Sequence, residues 1–131
     1  MRPPAARRVT LSTRPSPATA REWVLAQVAR YFGLLAEPSR LRILSEICSA
    51  ERSVSAIVTA TGLGQTVVSR HLALLHRAGV VARRRDGSSV HYRVCDPAFV
   101  DLCRRACVQI AAGIEARSPL RRELLAFASR H

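Results

Sequence analysis

Residues 65–94 read QTVVSRHLALLHRAGVVARRRDGSSVHYRV, and a change of rhythm inside this stretch decides the fold. In its first half Val68, Leu72 and Leu75 recur at helical spacing while Thr66, Ser69, Arg70 and Arg77 share the opposite face. That pattern predicts a helix from about Gln65 to Ala78 with a polar outer side. Gly79 stops it. Beyond Gly79 the period becomes that of a half-buried strand: Val90, Tyr92 and Val94 alternate with His91 and Arg93, and Asp86-Gly87 is a hairpin signal. Just upstream, Val54, Ile57 and Val58 point inward from a short helix over about Ser53 to Ala60, and Thr61-Gly62-Leu63-Gly64 makes a tight turn. Helix, glycine-containing turn and polar-faced helix form a helix-turn-helix, and the basic hairpin that follows is its wing.

Outward from that unit, Leu25, Val28, Phe32 and Leu35 predict a first helix beginning near Trp23. Pro38 suits the first turn of a second helix, with Leu41, Leu44, Ile47 and Cys48 on its buried side. Asp96-Pro97 caps and starts a fifth helix, along which Phe99, Leu102, Cys103, Ala106, Cys107, Ile110 and Ile114 form an apolar seam. A short helix with Leu120, Leu124, Leu125 and Phe127 follows Pro119. The first and fifth helices carry more apolar surface than one small winged domain hides, so they are expected to join two copies in a homodimer. The fold class is therefore mainly α with a small β-hairpin wing. The chain divides into a flexible Arg/Pro-rich arm over 1–20, a winged helix-turn-helix domain for DNA binding and dimerisation over 21–117, and a short C-terminal helix or tail over 118–131.

Composition points to the partner. The 131 residues suit one core. They include 21 Arg, no Lys and 9 acidic residues, a net charge of +12. Genomic base bias accounts for Arg in place of Lys but not for the excess of charge. A guanidinium stays ionised and pairs with planar oxyanions such as phosphate, so the balance implies a polyanion, nucleic acid first. Arg2, Arg7, Arg8, Arg14 and Arg21 interrupt any secretory signal, and no stretch reaches the about 18 apolar residues of a membrane span. A cytoplasmic location without a membrane partner is expected. An enzyme is not expected, for there is no Gly-rich phosphate loop, acid–base pair or Ser/His/Asp arrangement.

The polar face of the Gln65 helix offers Gln65, Thr66, Ser69 and Arg70, with His71 alongside, to base edges or phosphates in a major groove. Arg83, Arg84 and Arg85 in the wing suit phosphate or a narrow minor groove. Ser88 and His91 complete the candidate set. A nucleoid-type protein that binds DNA without sequence preference is the competing class, and the polar recognition face argues against it.

Over about residues 22 to 116 the chain resembles the ArsR/SmtB family of bacterial winged-helix repressors. The resemblance is carried by Leu34 to Leu44 (LLAEPSRLRIL), Gln65 to Leu75 (QTVVSRHLALL), and Ala78-Gly79-Val80-Val81 with the Arg-rich wing. It implies a homodimer that occupies operator DNA until an effector releases it. One family site, a Cys-Val-Cys pair at the start of the third helix, is absent here, where Ser53-Val54-Ser55 stand. Another uses Asp and His on the fifth helix; this helix has Asp101 and no His, so a zinc, cobalt or nickel site there is not expected.

Four Cys in such a chain are thiols, metal ligands or redox sensors rather than a disulfide framework. Cys103 and Cys107 lie one turn apart on one helix face, with Cβ atoms about 5 to 6 Å apart. A disulfide wants about 3.5 to 4.5 Å. A soft ion with sulfur bonds of about 2.3 Å bridges the wider gap. Trivalent antimony or arsenic is the expected inducer, which the resemblance supports because family members sense these metalloids through cysteines; no other cofactor is required. Cys48 is a candidate third ligand. It also opens the alternative of a persulfide or redox sensor with a bridge from Cys48 to Cys107 or Cys103, the family's corresponding cysteine falling about one turn earlier, at Ser45. Packing thiols remain a third reading, and Cys95 is expected to be structural.

Overall fold

The computed structural model describes residues 16–130. Helix α1 spans Pro17–Leu35; Ser16 caps it, its Oγ accepting the Thr19 amide at 3.2 Å, and Pro17 stands in the first turn where its missing N–H costs nothing. The stretch 1–20 expected to be an arm therefore ends in helix, since the Ser16-Pro17 cap is followed by the helix-favouring Ala18 and Ala20; its residues 1–15 lie outside the described part. Helix α2 (Pro38–Ile47) starts on Glu37, whose carboxylate accepts the Ser39 and Arg40 amides at 3.1 and 2.9 Å. Helix α3 (Val54–Thr61) is capped by Ser53 and ends at Gly62, whose φ of 71° is a left-handed turn conformation. The buried Thr61 hydroxyl donates to the Ile57 carbonyl at 2.7 Å and accepts the Leu63 amide at 3.3 Å, so the turn into α4 (Gln65–Arg77) leaves no buried hydroxyl unpaired.

The wing is larger than a hairpin. Strands β2 (Val81–Asp86) and β3 (Ser89–Val94) pair antiparallel around Gly87-Ser88, with Gly87 at φ 60°. A two-residue strand β1 (Arg52–Ser53) adds to the other edge of β3, Arg52 opposite Tyr92 and Ser53 opposite His91, for the order β1-β3-β2. At the wing's base the Cys95 amide donates to the Val80 carbonyl at 3.0 Å, and the Cys95 thiol lies 3.4 Å from the Gly79 carbonyl. Helix α5 (Pro97–Ala112) is capped by Asp96, and α6 (Pro119–Arg130) folds back on it with Ala111 and Ala128 buried.

One core joins Ile43, Leu44 and Ile47 of α2, Ile57 of α3, Val68, Leu72 and Leu75 of α4, Val80, Val81, Tyr92 and Phe99. Phe99, expected on the intersubunit seam, is 1 % exposed in this core, because the first turn of α5 packs under α2 before the helix leaves it. Helix α1 buries no residue, and its Leu25, Val28 and Phe32 are 59, 46 and 54 % exposed. No helix among the described residues is long and apolar enough to cross a membrane.

Candidate DNA-facing surface and thiol groove

Helix α4 turns Val68, Leu72 and Leu75 into the core and leaves Gln65, Thr66, Ser69 and Arg70 exposed on one side, as the period required. His71 is the exception. Its side chain is 14 % exposed and its Nε2 lies 3.6 Å from Glu37 Oε2 at the start of α2. Burial pushes the imidazole below its usual range, against the pull of Glu37. Position 71 is three residues beyond Val68 and four before Leu75, so the helical period itself places it beside the apolar stripe; it does not share the outer face with Ser69 and Arg70.

The three wing arginines differ as well. Arg83 and Arg85 alternate with Arg84 along β2, and all three are exposed, as is Ser88 at the turn. Arg84 donates Nε and Nη2 to one Glu51 oxygen at 3.0 and 2.6 Å, and its Nη1 lies 3.8 Å from Asp86. That pairing holds the Glu51 carboxyl below its ordinary range. Glu51 precedes β1, so the Arg84 side chain spans the sheet from β2 toward β1. Nothing in the sequence pattern announced this tie, because its partners are far apart in the chain. His91 is half-buried on β3, opposite both Arg84 and Ser53.

Of the thiols, Cys103 and Cys107 line an open apolar groove of about 1050 Å³ between α1, α5 and α6, with Phe32, Ile110, Leu124 and Phe127 among its walls. Cys48, at the end of α2, shares a small apolar cavity with Cys103. All four cysteines are free. Burial, then the neighbouring Cys48 and Cys107 sulfurs, pushes the Cys103 thiol up to about 11, and burial raises Cys48 and Cys107 too. Among the described residues no group of three or more His, Cys, Asp or Glu side chains is disposed to hold a metal ion. The three-thiol set with Cys48 is thus not preassembled within a protomer: Cys48, where α2 ends, shares its cavity with Cys103 but not with Cys107. Above this region the Tyr31 hydroxyl donates to Asp96 Oδ2 at 3.0 Å, which ties α1 to the cap of α5.

A family model described as bacterial regulatory protein, arsR family, matches residues 37–83. A probable mercury resistance operon repressor of Streptomyces lividans is 43 % identical over 74 residues, 56 % of this chain and 59 % of that protein. The HTH-type transcriptional repressor SmtB of Mycobacterium tuberculosis is 37 % identical over 93 residues, 71 % of this chain and 67 % of that one. The solution structure of a homodimeric winged helix-turn-helix DNA-binding domain from Mycobacterium bovis superposes with a TM-score of 0.59 at 36 % identity, covering 79 % of this chain and 91 % of that domain.

Proposed function

Because the chain belongs to the ArsR/SmtB family of DNA-binding transcriptional repressors, we propose that it is a homodimer that grips operator DNA with α4 and the wing and releases it when Cys103 and Cys107 capture a thiophilic ion. The observation that carries the proposal is the position of these two thiols: one turn apart, on a helix whose face is open to solvent in the protomer, in the groove that a second copy would cover. Gln65, Thr66, Ser69 and Arg70 contact the major groove, and Arg83, Arg85 and Ser88 the adjoining backbone, with Arg84 reached only after it leaves Glu51. His71 is left out of the contact set for the reason given above.

The protonation state supports a metalloid. Thiols held above their ordinary range are protonated at neutral pH and attack disulfides or polysulfides slowly. Antimonous or arsenous acid does not need thiolates in advance: each thiol gives its proton to a leaving hydroxide, a sulfur–metalloid bond replaces an oxygen–metalloid bond, and water departs, so two thiols release two waters and no net proton. The remaining hydroxide, or Cys48 after a shift of α2, completes the three-coordinate ion. The mercury resistance repressor among the relatives fits the same softness rule, since a two-coordinate mercuric ion also suits a thiol pair. The cavity shared by Cys48 and Cys103 favours the second reading, a sulfur or redox bridge between α2 and α5.

The test is operator release on the DNA upstream of its own gene with antimonite, arsenite, mercuric ion and polysulfide side by side. Cys103→Ser and Cys107→Ser keep DNA binding and lose metalloid release, while Cys95→Ser responds as wild type. Arg70→Ala weakens specific binding by about 1 to 3 kcal/mol yet keeps the response. Release of a Cys103/Cys107 double variant by antimonite defeats the proposed site; release by polysulfide alone, lost in Cys48→Ser, establishes the second reading.

A further inference from the structure

Two hollows of very different size meet at Cys103. The groove that carries Cys103 and Cys107 has room of about 1050 Å³, whereas the cavity that Cys48 lines has about 10 Å³. A void of the smaller size holds one water at most, and only with polar partners that its apolar lining does not offer. Leu41 of α2, Cys103 of α5 and Phe127 of α6 border both spaces, while Cys48 borders only the cavity and Cys107 only the groove. Cys103 is therefore a sulfur set into a partition, and Leu41 and Phe127 form the rest of it. Helix α6 holds Phe127 there, since the next residue, Ala128, is buried and lines the cavity as well.

We infer that Phe127, together with Leu41, determines the specificity of the inducer site: the partition keeps Cys48 away from the ion and makes the site one of two thiols. The inference rests on the proposed capture of a thiophilic ion by Cys103 and Cys107. With antimonous acid, the two thiols give their protons to two of the three hydroxides, two waters leave, and two sulfur–antimony bonds replace two oxygen–antimony bonds. The third hydroxide stays on the ion. Its exchange for the Cys48 sulfur, which would release a third water, is blocked by distance, because a sulfur bond of about 2.3 Å is shorter than the about 3.5 to 4.0 Å that separates atoms in contact across a side chain. Burial also holds the Cys48 thiol above its ordinary range, so no thiolate charge draws it toward the groove. Such a site satisfies an ion content with two sulfurs and forgoes the affinity that a third would add for antimony.

The experiment titrates the full-length protein with antimonite in a buffer free of other thiols and weighs the adduct by mass spectrometry under conditions that preserve sulfur–antimony bonds. The wild-type adduct keeps one hydroxyl, and Cys48→Ser binds antimonite as tightly as the wild type. In Phe127→Ala the adduct is lighter by one water and binding tightens by about tenfold or more, the third bond being intramolecular. Adding Cys48→Ser to Phe127→Ala abolishes both changes, which a merely loosened α6 would not do. Leu41→Ala opens the same partition from α2 with α6 intact, and it produces the same Cys48-dependent loss of water. A wild-type adduct without the hydroxyl, or weaker binding in Cys48→Ser, overturns the inference. So does retention of the hydroxyl and of wild-type affinity in both opened variants. Antimonite binding that is absent from the wild type, or undiminished in the Cys103/Cys107 double variant, would instead count against the proposed ion site itself.

Discussion

The two halves of the molecule treat their apolar residues in opposite ways. Around α2, α3, α4 and the sheet, the large side chains Ile43, Ile47, Ile57, Val68, Leu72 and Leu75 are fully enclosed. Along α1 and the outer face of α5, Leu25, Val28, Phe32 and Ile110 stand about half exposed. The first half is complete in one chain. The second is finished only by another surface, and the cost of leaving such groups in water is what drives association. The half proposed to read DNA thus encloses its apolar side chains within one chain, while the half that carries Cys103 and Cys107 leaves apolar groups open.

The sharpest way to break this contrast is Phe99→Ala. If the aromatic ring belongs to the closed core, its loss costs about 3 to 5 kcal/mol in denaturant unfolding. A cost under 1 kcal/mol would return Phe99 to the seam. Phe32→Asp comes next: it is expected to halve the mass seen by light scattering at micromolar concentration while circular dichroism keeps the helix content, since a change at an exposed protomer position shifts stability by about 0.5 kcal/mol or less. Loss of helix would mean that the core is not self-sufficient. The smallest effect concerns Cys103, which touches both halves. Its folded pKa lies above the ordinary 9.0, at about 11, so the folded state favours the protonated thiol. That contribution is whole below pH 9 and is lost as pH rises toward 11. The melting temperature therefore falls more steeply over that window in the wild type than in Cys103→Ser.

Legibility followed the same division. The core of α4, the turn at Gly62 and the β2–β3 hairpin were readable because each is written in local spacing. Strand β1 was not, since two residues have no period and exist as a strand only through Tyr92 and His91 some forty positions on. The Ser16-Pro17 cap was a local signal passed over in favour of proline content. His71 was grouped with the DNA-facing residues for its chemistry and set alongside them, although its spacing from Val68 and Leu75 places it beside the apolar stripe. The Glu51–Arg84 tie and the meeting of Cys48 with Cys103 are products of tertiary structure, and no local pattern encodes them.

The stitch at the base of the wing has a mechanical consequence. Because the Cys95 amide bonds the Val80 carbonyl and its thiol lies against the Gly79 carbonyl, immediately behind the end of α4, the returning strand of the wing is tied to the recognition helix. In the proposed dimer that tie would let the helix and wing of each protomer move together when the joint between the protomers changes. On the proposed function, a lone protomer on half an operator would have no spacing to lose, and its grip would be expected to respond little to an inducer. The proposed switch would then need DNA long enough to span two protomers.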